Sequence, residues 1–218
     1  MASHSITTVA DMPAATGVAA LVTPEMLAKQ PARFRLATAE DLPAIVAIYN
    51  ATIDSRMVTA DIEPVSVESR LAWFQEHDPQ KRPLWVVDAA QVAGQVTTAS
   101  NAAFDEVASQ DGDAQVVAWL SFSDFYGRPA YAGTAEISIY VAEGARGKGV
   151  GRCLMQAAID FAPQLNLHTL LGFIFGHNQP SLSLFSAFGF ATWGHLPRVA
   201  VLDGIERDLL IVGKRVVE

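Results

Sequence analysis

The stretch Ile139-Tyr140-Val141-Ala142-Glu143-Gly144-Ala145-Arg146-Gly147-Lys148-Gly149-Val150-Gly151-Arg152 leaves one kind of periodicity and enters another. Before it, Glu136 to Val141 alternates with period two, as a central strand does. After it, from about Gly149 to Ala162, the apolar residues recur at helical spacing until Pro163 stops them. Small residues fill the turn between, so the backbone can take unusual dihedrals and come close to a ligand. The first turn of a helix has unpaired N–H groups and the positive end of the macrodipole. Arg146, Lys148 and Arg152 add three cations at that place, in a chain of formal net charge −8. A basic surface loop before an ordinary helix is the plainer reading of such a turn. Here strand, glycines, cations and helix coincide, and Arg146, Gly147, Lys148, Gly149, Val150, Gly151 and Arg152 read as a cradle for a pyrophosphate. The spacing is that of neither the nucleotide P-loop nor the dinucleotide fingerprint Gly-x-Gly-x-x-Gly.

Working outward, Phe34 to Ala37 reads as a short strand. Thr38 reads as an N-cap with Asp41 three residues on, followed by Leu42, Ile45, Val46, Ile48 and Tyr49 at helical spacing. Ser66 caps a second helix carrying Val67, Leu71, Trp73 and Phe74. Strands are expected at Pro83 to Asp88 and Val116 to Phe122, with a long polar hairpin loop, Thr97 to Gln115, between them. Thr169 to Phe175 is a strand, Pro180 to Phe188 a helix, and two strands close the chain. Residues 1–32, interrupted by Pro13, Pro24 and Pro31, show no sustained period and are expected to be a partly irregular N-terminal extension to one domain at 33–218.

The chain has 218 residues, 50% of them hydrophobic, enough for a single well-filled core. Its acidity argues against nucleic acid or an anionic membrane as partner. One cysteine, Cys153, excludes an internal disulfide and reads as small core filler. No Lys or Arg precedes Lys29, and no apolar run approaches the ~18 residues of a membrane span, so a cytoplasmic chain is expected. His4, His77 and His168 lack carboxylate or cysteine partners at ligand spacing, so no metal is expected.

Arg146-x-x-Gly149-x-Gly151 resembles the acetyl-CoA signature of the GCN5-related N-acetyltransferase (GNAT) superfamily. Asn178-x-x-Ser181, at the next strand's mouth, and Gly189-Phe190 resemble further elements of it. The resemblance runs over about residues 34–215. It implies an α/β (α+β) fold: a mixed, mostly antiparallel twisted sheet of about seven strands flanked by about four helices. Upstream, Arg128-Pro129-Ala130-Tyr131-Ala132-Gly133-Thr134-Ala135-Glu136-Ile137-Ser138-Ile139-Tyr140-Val141 resembles the segment of phosphinothricin acetyltransferases and related L-amino-acid N-acyltransferases.

The resemblance implies acetyl-CoA as cosubstrate and direct transfer, in a ternary complex, to the primary amine of a small amino-acid-like acceptor. Phosphinothricin, methionine sulfone or sulfoximine, or a related L-amino acid are the acceptor types it suggests, and a homodimer is the expected state. Such a reaction needs a proton acceptor for the amine and donors for the thioester oxygen. Glu136 is the candidate base; its plainer role is as partner to an arginine or to backbone N–H groups. The backbone N–H groups of Ile139, Tyr140 and Val141 are the candidate oxyanion donors. Asn178 and Ser181 belong to the coenzyme side, Asn178 also reading as a helix cap. Arg128, Tyr131 and Thr134 are candidate acceptor residues, since arginine meets an acidic group with two prongs; Arg128-Pro129 also reads as a surface turn. His195 is a candidate for the acceptor cleft, and His177 reads as solvent-facing.

Two departures stand out. Phe185 occupies the place where many superfamily members have tyrosine and phosphinothricin acetyltransferases histidine, so that side chain cannot protonate a thiolate. Leu202 and Glu206 stand where the herbicide-modifying relatives have lysine and tryptophan. Two other functions fit the same motifs: acetylation of a protein or peptide, and a catalytically silent acetyl-CoA-binding module.

Overall fold

The structure is a computed structural model that describes residues 34–93 and 115–217. The expected extension and, apart from Gln115, the expected hairpin loop lie outside the described residues. Seven strands form one sheet in the order β1-β2-β3-β4-β5-β7-β6. They are β1 (Arg35–Leu36), β2 (Leu84–Asp88), β3 (Val116–Asp124), β4 (Thr134–Val141), β5 (Thr169–Phe175), β6 (Ala191–Leu202) and β7 (Ile205–Arg215). Every pairing is antiparallel except β4 with β5. The described helices are α1 (Leu42–Asn50), α2 (Val67–Gln75), α3 (Ala89–Ala93), α4 (Val150–Phe161) and α5 (Gln179–Ala187). The five-residue α3 had no sequence signal, because it is too short to show a period.

Alternation along β4 sorts its side chains onto two faces. Ala135 and Ile137 belong to the larger core, against Val150, Leu154, Met155 and Phe161 of α4 and Phe185 of α5. Tyr140 belongs to the other face, with Trp119, Ile45 and Ile48, under α1 and α2. The sheet is therefore covered on both sides. Among the described residues no helix is long and apolar enough to cross a membrane.

Local chemistry sets several boundaries. The Asp41 carboxylate accepts from the Thr38 N–H at 2.7 Å, and a 3-10 turn, Ala39–Asp41, precedes α1. Ser66 Oγ accepts from the Ser69 N–H at 3.1 Å and starts α2. Arg35 clamps β1 down: it donates to Asp41 at 2.7 and 2.8 Å and to Asp88, at the end of β2, at 2.9 and 3.0 Å. The β6–β7 hairpin turns on Asp203 and Gly204, both at positive φ (50° and 78°), as a two-residue Asp-Gly loop demands.

Some expectations change. Leu71 is exposed, so α2 does not bury all the apolar residues that its spacing suggested. Cys153 is half-buried, not a core residue: it lies in α4 just off the stripe made by Val150, Leu154 and Ala157. His177 is not simply solvent-facing. Its Nε2 lies 2.8 Å from the Arg56 carbonyl oxygen, and its ring stacks on Phe175 with centroids 5.5 Å apart.

Candidate active site

The β4–β5 pairing has only three steps, Thr134–Thr169, Ala135–Leu170 and Glu136–Leu171, while β4 runs on to Val141. Beyond Glu136 the sheet opens. The Ala142 N–H bonds the Val117 carbonyl across to β3 at 2.9 Å. Peptide groups alternate along a strand, so the N–H groups of Ile139 and Val141 point the other way, into the opening, while that of Tyr140 points to β3. A groove of about 490 Å³ continues from the opening. Ile139, Tyr140 and Val141 line it with the turn residues Arg146, Gly147, Gly149, Val150, Gly151 and Arg152, and with Asn178 and Ser181 at the start of α5. Thr52, Ser55, Met57 and Val58 form the facing wall.

Gly147 and Gly149 sit at φ +73° and +84°, where a side chain is strained, and a Cβ at either would meet nothing within 4 Å. The turn is thus an open cradle whose backbone faces the groove, with the N-terminus of α4 behind it. Arg146 Nε donates to the Val141 carbonyl at 3.2 Å and braces the turn. The Arg152 guanidinium lies 5.0 Å from the Phe188 ring centroid. Lys148 is half-buried in the same turn and does not line the groove. Asn178 is buried and caps α5, its Oδ1 accepting from the Ser181 N–H at 3.2 Å. Arg56 holds the facing wall: its side chain pairs with Asp203 on the β6–β7 hairpin at 2.8 Å.

A second hollow, of about 200 Å³, adjoins the groove. Its floor comes from three cross-strand pairs, Trp119–Tyr140, Ser121–Ser138 and Ser123–Glu136. Its roof comes from Ile45, Val46 and Tyr49 of α1, Val65, and Arg70 and Trp73 of α2. Tyr140 lines both spaces, so they meet at that residue. Burial raises the Glu136 carboxyl above the ordinary range, and among the described residues it has no hydrogen-bond or ion-pair partner. The plainer role of tying down an arginine is therefore unfilled. Burial also pushes the Tyr140 phenol up, so it stays protonated at neutral pH.

None of the other acceptor candidates lines the Glu136 hollow. Arg128 and Tyr131 line a separate surface hollow with Arg82, Asp124 and Asn166. Thr134 opens β4 on the same face as Glu136 but lies outside that residue's hollow. His195 is exposed on β6, its Nε2 2.7 Å from Asp208 Oδ2.

Comparison with known proteins settles the family. Residues 46–190 match the acetyltransferase (GNAT) family. The chain belongs to that family. The acetyltransferase is similar to YwnH of Bacillus subtilis (strain 168), which carries a provisional phosphinothricin acetyltransferase name: 49% identity over 83% of this chain and 96% of the relative. It is also similar to the L-methionine sulfoximine/L-methionine sulfone acetyltransferase of Pseudomonas aeruginosa, 32% identical over 82% of this chain and 91% of the relative. The structure of yncA from Salmonella typhimurium, solved with its cofactor acetyl-CoA, superposes with a TM-score of 0.68 at 26% identity, covering 85% of this chain and 94% of the other. The protein is accordingly an N-acetyltransferase enzyme, and its seven-stranded mixed sheet is the fold of that family.

In the acetyltransferase, Phe185 is buried against Gly172, where even a Cβ would come within 2.5 Å of the phenyl ring, and against Phe190. The position is filled for packing. Tyr49, Arg70 and Trp119, which the sequence did not single out as site residues, line the Glu136 hollow. An arginine on a helix face between Val67 and Trp73, four residues after the Ser66 cap, was the one local signal available for Arg70.

Proposed function

We propose that this acetyltransferase moves the acetyl group of acetyl-CoA directly, in a ternary complex, onto the primary amine of a small amino-acid-like acceptor. The observation that carries the reading is the junction at Tyr140. A groove built on the glycine turn adjoins a small hollow holding a carboxylate that has no partner among the described residues. In this reading the turn amides and Arg146 hold the pyrophosphate, Asn178 and Ser181 flank the pantetheine arm, and the thioester reaches the opening beside Ile139 and Val141.

Glu136 then takes a proton from the acceptor's ammonium, directly or through one water. The free amine attacks the thioester carbonyl carbon, and the Ile139 and Val141 N–H groups receive the developing oxyanion. As the intermediate collapses, the C–S bond breaks and the nitrogen's second proton passes through water to the departing thiolate, while Glu136 returns its own proton to solvent. A covalent acyl-cysteine is disfavoured, since burial raises the Cys153 thiol and keeps it protonated. The relatives' names support methionine sulfone, methionine sulfoximine or phosphinothricin as acceptor types. The size of the hollow favours such molecules over a folded protein's tail. A homodimer is proposed on the exposed Trp193, Leu196, Val199, Val201 and Ile205 of the β6–β7 hairpin.

Initial rates measured with acetyl-CoA against free amino acids and against peptides test the reading. Intersecting reciprocal plots with L-methionine sulfone, and no turnover of peptides, are expected. Parallel plots would indicate a covalent intermediate, and peptide turnover would move the acceptor elsewhere.

A further inference from the structure

We propose that Arg70 binds the acceptor's carboxylate, so that the hollow selects α-amino acids by holding both ends of a zwitterion. The inference rests on the acceptor reading above and assigns the anion site to a residue outside the Arg128–Tyr131 segment.

The Glu136 hollow contains one cation and one anion among its lining side chains, Arg70 and Glu136. They come from different layers, Arg70 from α2 in the roof and Glu136 from β4 in the floor. The remaining lining is aromatic, aliphatic or hydroxylic. A free amino acid carries its ammonium and carboxylate on one carbon. An acceptor whose amine faces Glu136 therefore has a carboxylate to place within the same small space.

Arg70 is held for that task. One nitrogen, Nη2, bonds Asp61 Oδ2 at 2.9 Å, and the guanidinium lies 4.8 Å from the Tyr49 ring centroid. The Tyr49 hydroxyl donates to the same Asp61 oxygen, so that carboxylate is shared and only partly offsets the arginine. Among the described residues the guanidinium makes no other hydrogen bond, while a planar guanidinium has five N–H groups and favours two-pronged contact with a carboxylate. Its side chain is 28% exposed, enough to be reached and little enough for the contact to count. Arg128, by contrast, lines a hollow that does not contain Glu136.

The test compares L-methionine sulfone with its carboxamide, which keeps the amine and side chain but loses the anion, on wild type, Arg70→Gln and Arg128→Ala. Acetyl-CoA binding by calorimetry reports whether each variant is folded. For Arg70→Gln the KM for the acid is expected to rise at least thirtyfold, with the carboxamide within threefold of wild type. Equal losses for acid and carboxamide would make Arg70 a structural brace. No loss for either, or an acid-specific loss confined to Arg128→Ala, would overturn the assignment. If wild type acetylates neither compound, the acceptor reading fails by itself. Arg70 is then judged by calorimetric binding of the same pair, where acid binding that Arg70→Gln leaves unchanged contradicts the proposal.

Discussion

Glu136 combines a catalytic assignment with a cost to the fold. Its carboxyl is raised by burial and has no described partner, so ionising it in place is unfavourable, yet only the ionised form accepts a proton. Glu136→Gln keeps the shape and removes the proposed base. Turnover at neutral pH is expected to fall by ~10²–10⁴, with acetyl-CoA affinity unchanged. Activity should partly recover at high pH, where free amine is abundant; a pH–rate profile of both proteins checks this, and near-normal turnover at neutral pH would remove Glu136 from the mechanism.

The stability sign runs the other way. A carboxyl whose folded pKa lies above its unfolded value favours folding while protonated, and that advantage is lost as pH rises through the folded pKa. Glu136→Gln should therefore melt higher than wild type at neutral pH, and the gap should close below about pH 4, where both chains are neutral at this position. Thermal melts at the two pH values measure it.

Elements differ in how far a local pattern could announce them. The β4–turn–α4 unit was legible because its information is contiguous: a change of period, glycines where φ is positive, and cations at a helix start. Gly149→Val forces a β-branched residue to φ +84°, beside the proposed pyrophosphate site. Acetyl-CoA affinity is expected to fall at least tenfold, with a far-UV spectrum like wild type; unchanged affinity by calorimetry would displace the coenzyme from this turn. The Glu136 hollow was legible only in its β4 residues. Its floor depends on the register of β3 with β4 and its roof on α1 and α2, more than 60 residues upstream, and no local period reports such pairing. His177 misled for the same reason, its partner Arg56 being 121 residues away.

The clamp on β1 is a second element-scale case. Arg35 joins Asp41 and Asp88, and that arginine holds the Asp41 carboxyl below its usual range against the opposing effect of burial. Removing the guanidinium leaves two largely buried carboxylates, so Arg35→Ala is expected to cost about 1–3 kcal/mol, less than a fully buried pair because Arg35 is partly exposed. Asp41, with its lowered folded pKa, contributes stability above its unfolded pKa near ~4 and loses it as pH falls through the folded value. The difference between wild type and variant in urea should accordingly shrink in acid.

At the scale of the whole molecule, the sheet's layering decides what the acetyltransferase can do. One face carries α4 and the glycine turn; the other carries α1 and α2 over Glu136; the three-step β4–β5 pairing lets the two sides meet. The number and order of strands along the chain were legible from period and punctuation. The opening was not, because it is the absence of pairing between two strands that each look complete. A crystal structure with coenzyme A and L-methionine sulfone tests this arrangement most directly. The pyrophosphate is expected on the amides of Gly147 to Gly151, the thiol at the opening beside Ile139 and Val141, and the acceptor amine within hydrogen-bond or one-water reach of Glu136. An acceptor bound instead in the Arg128–Tyr131 hollow, or a coenzyme that leaves the glycine turn empty, would contradict it.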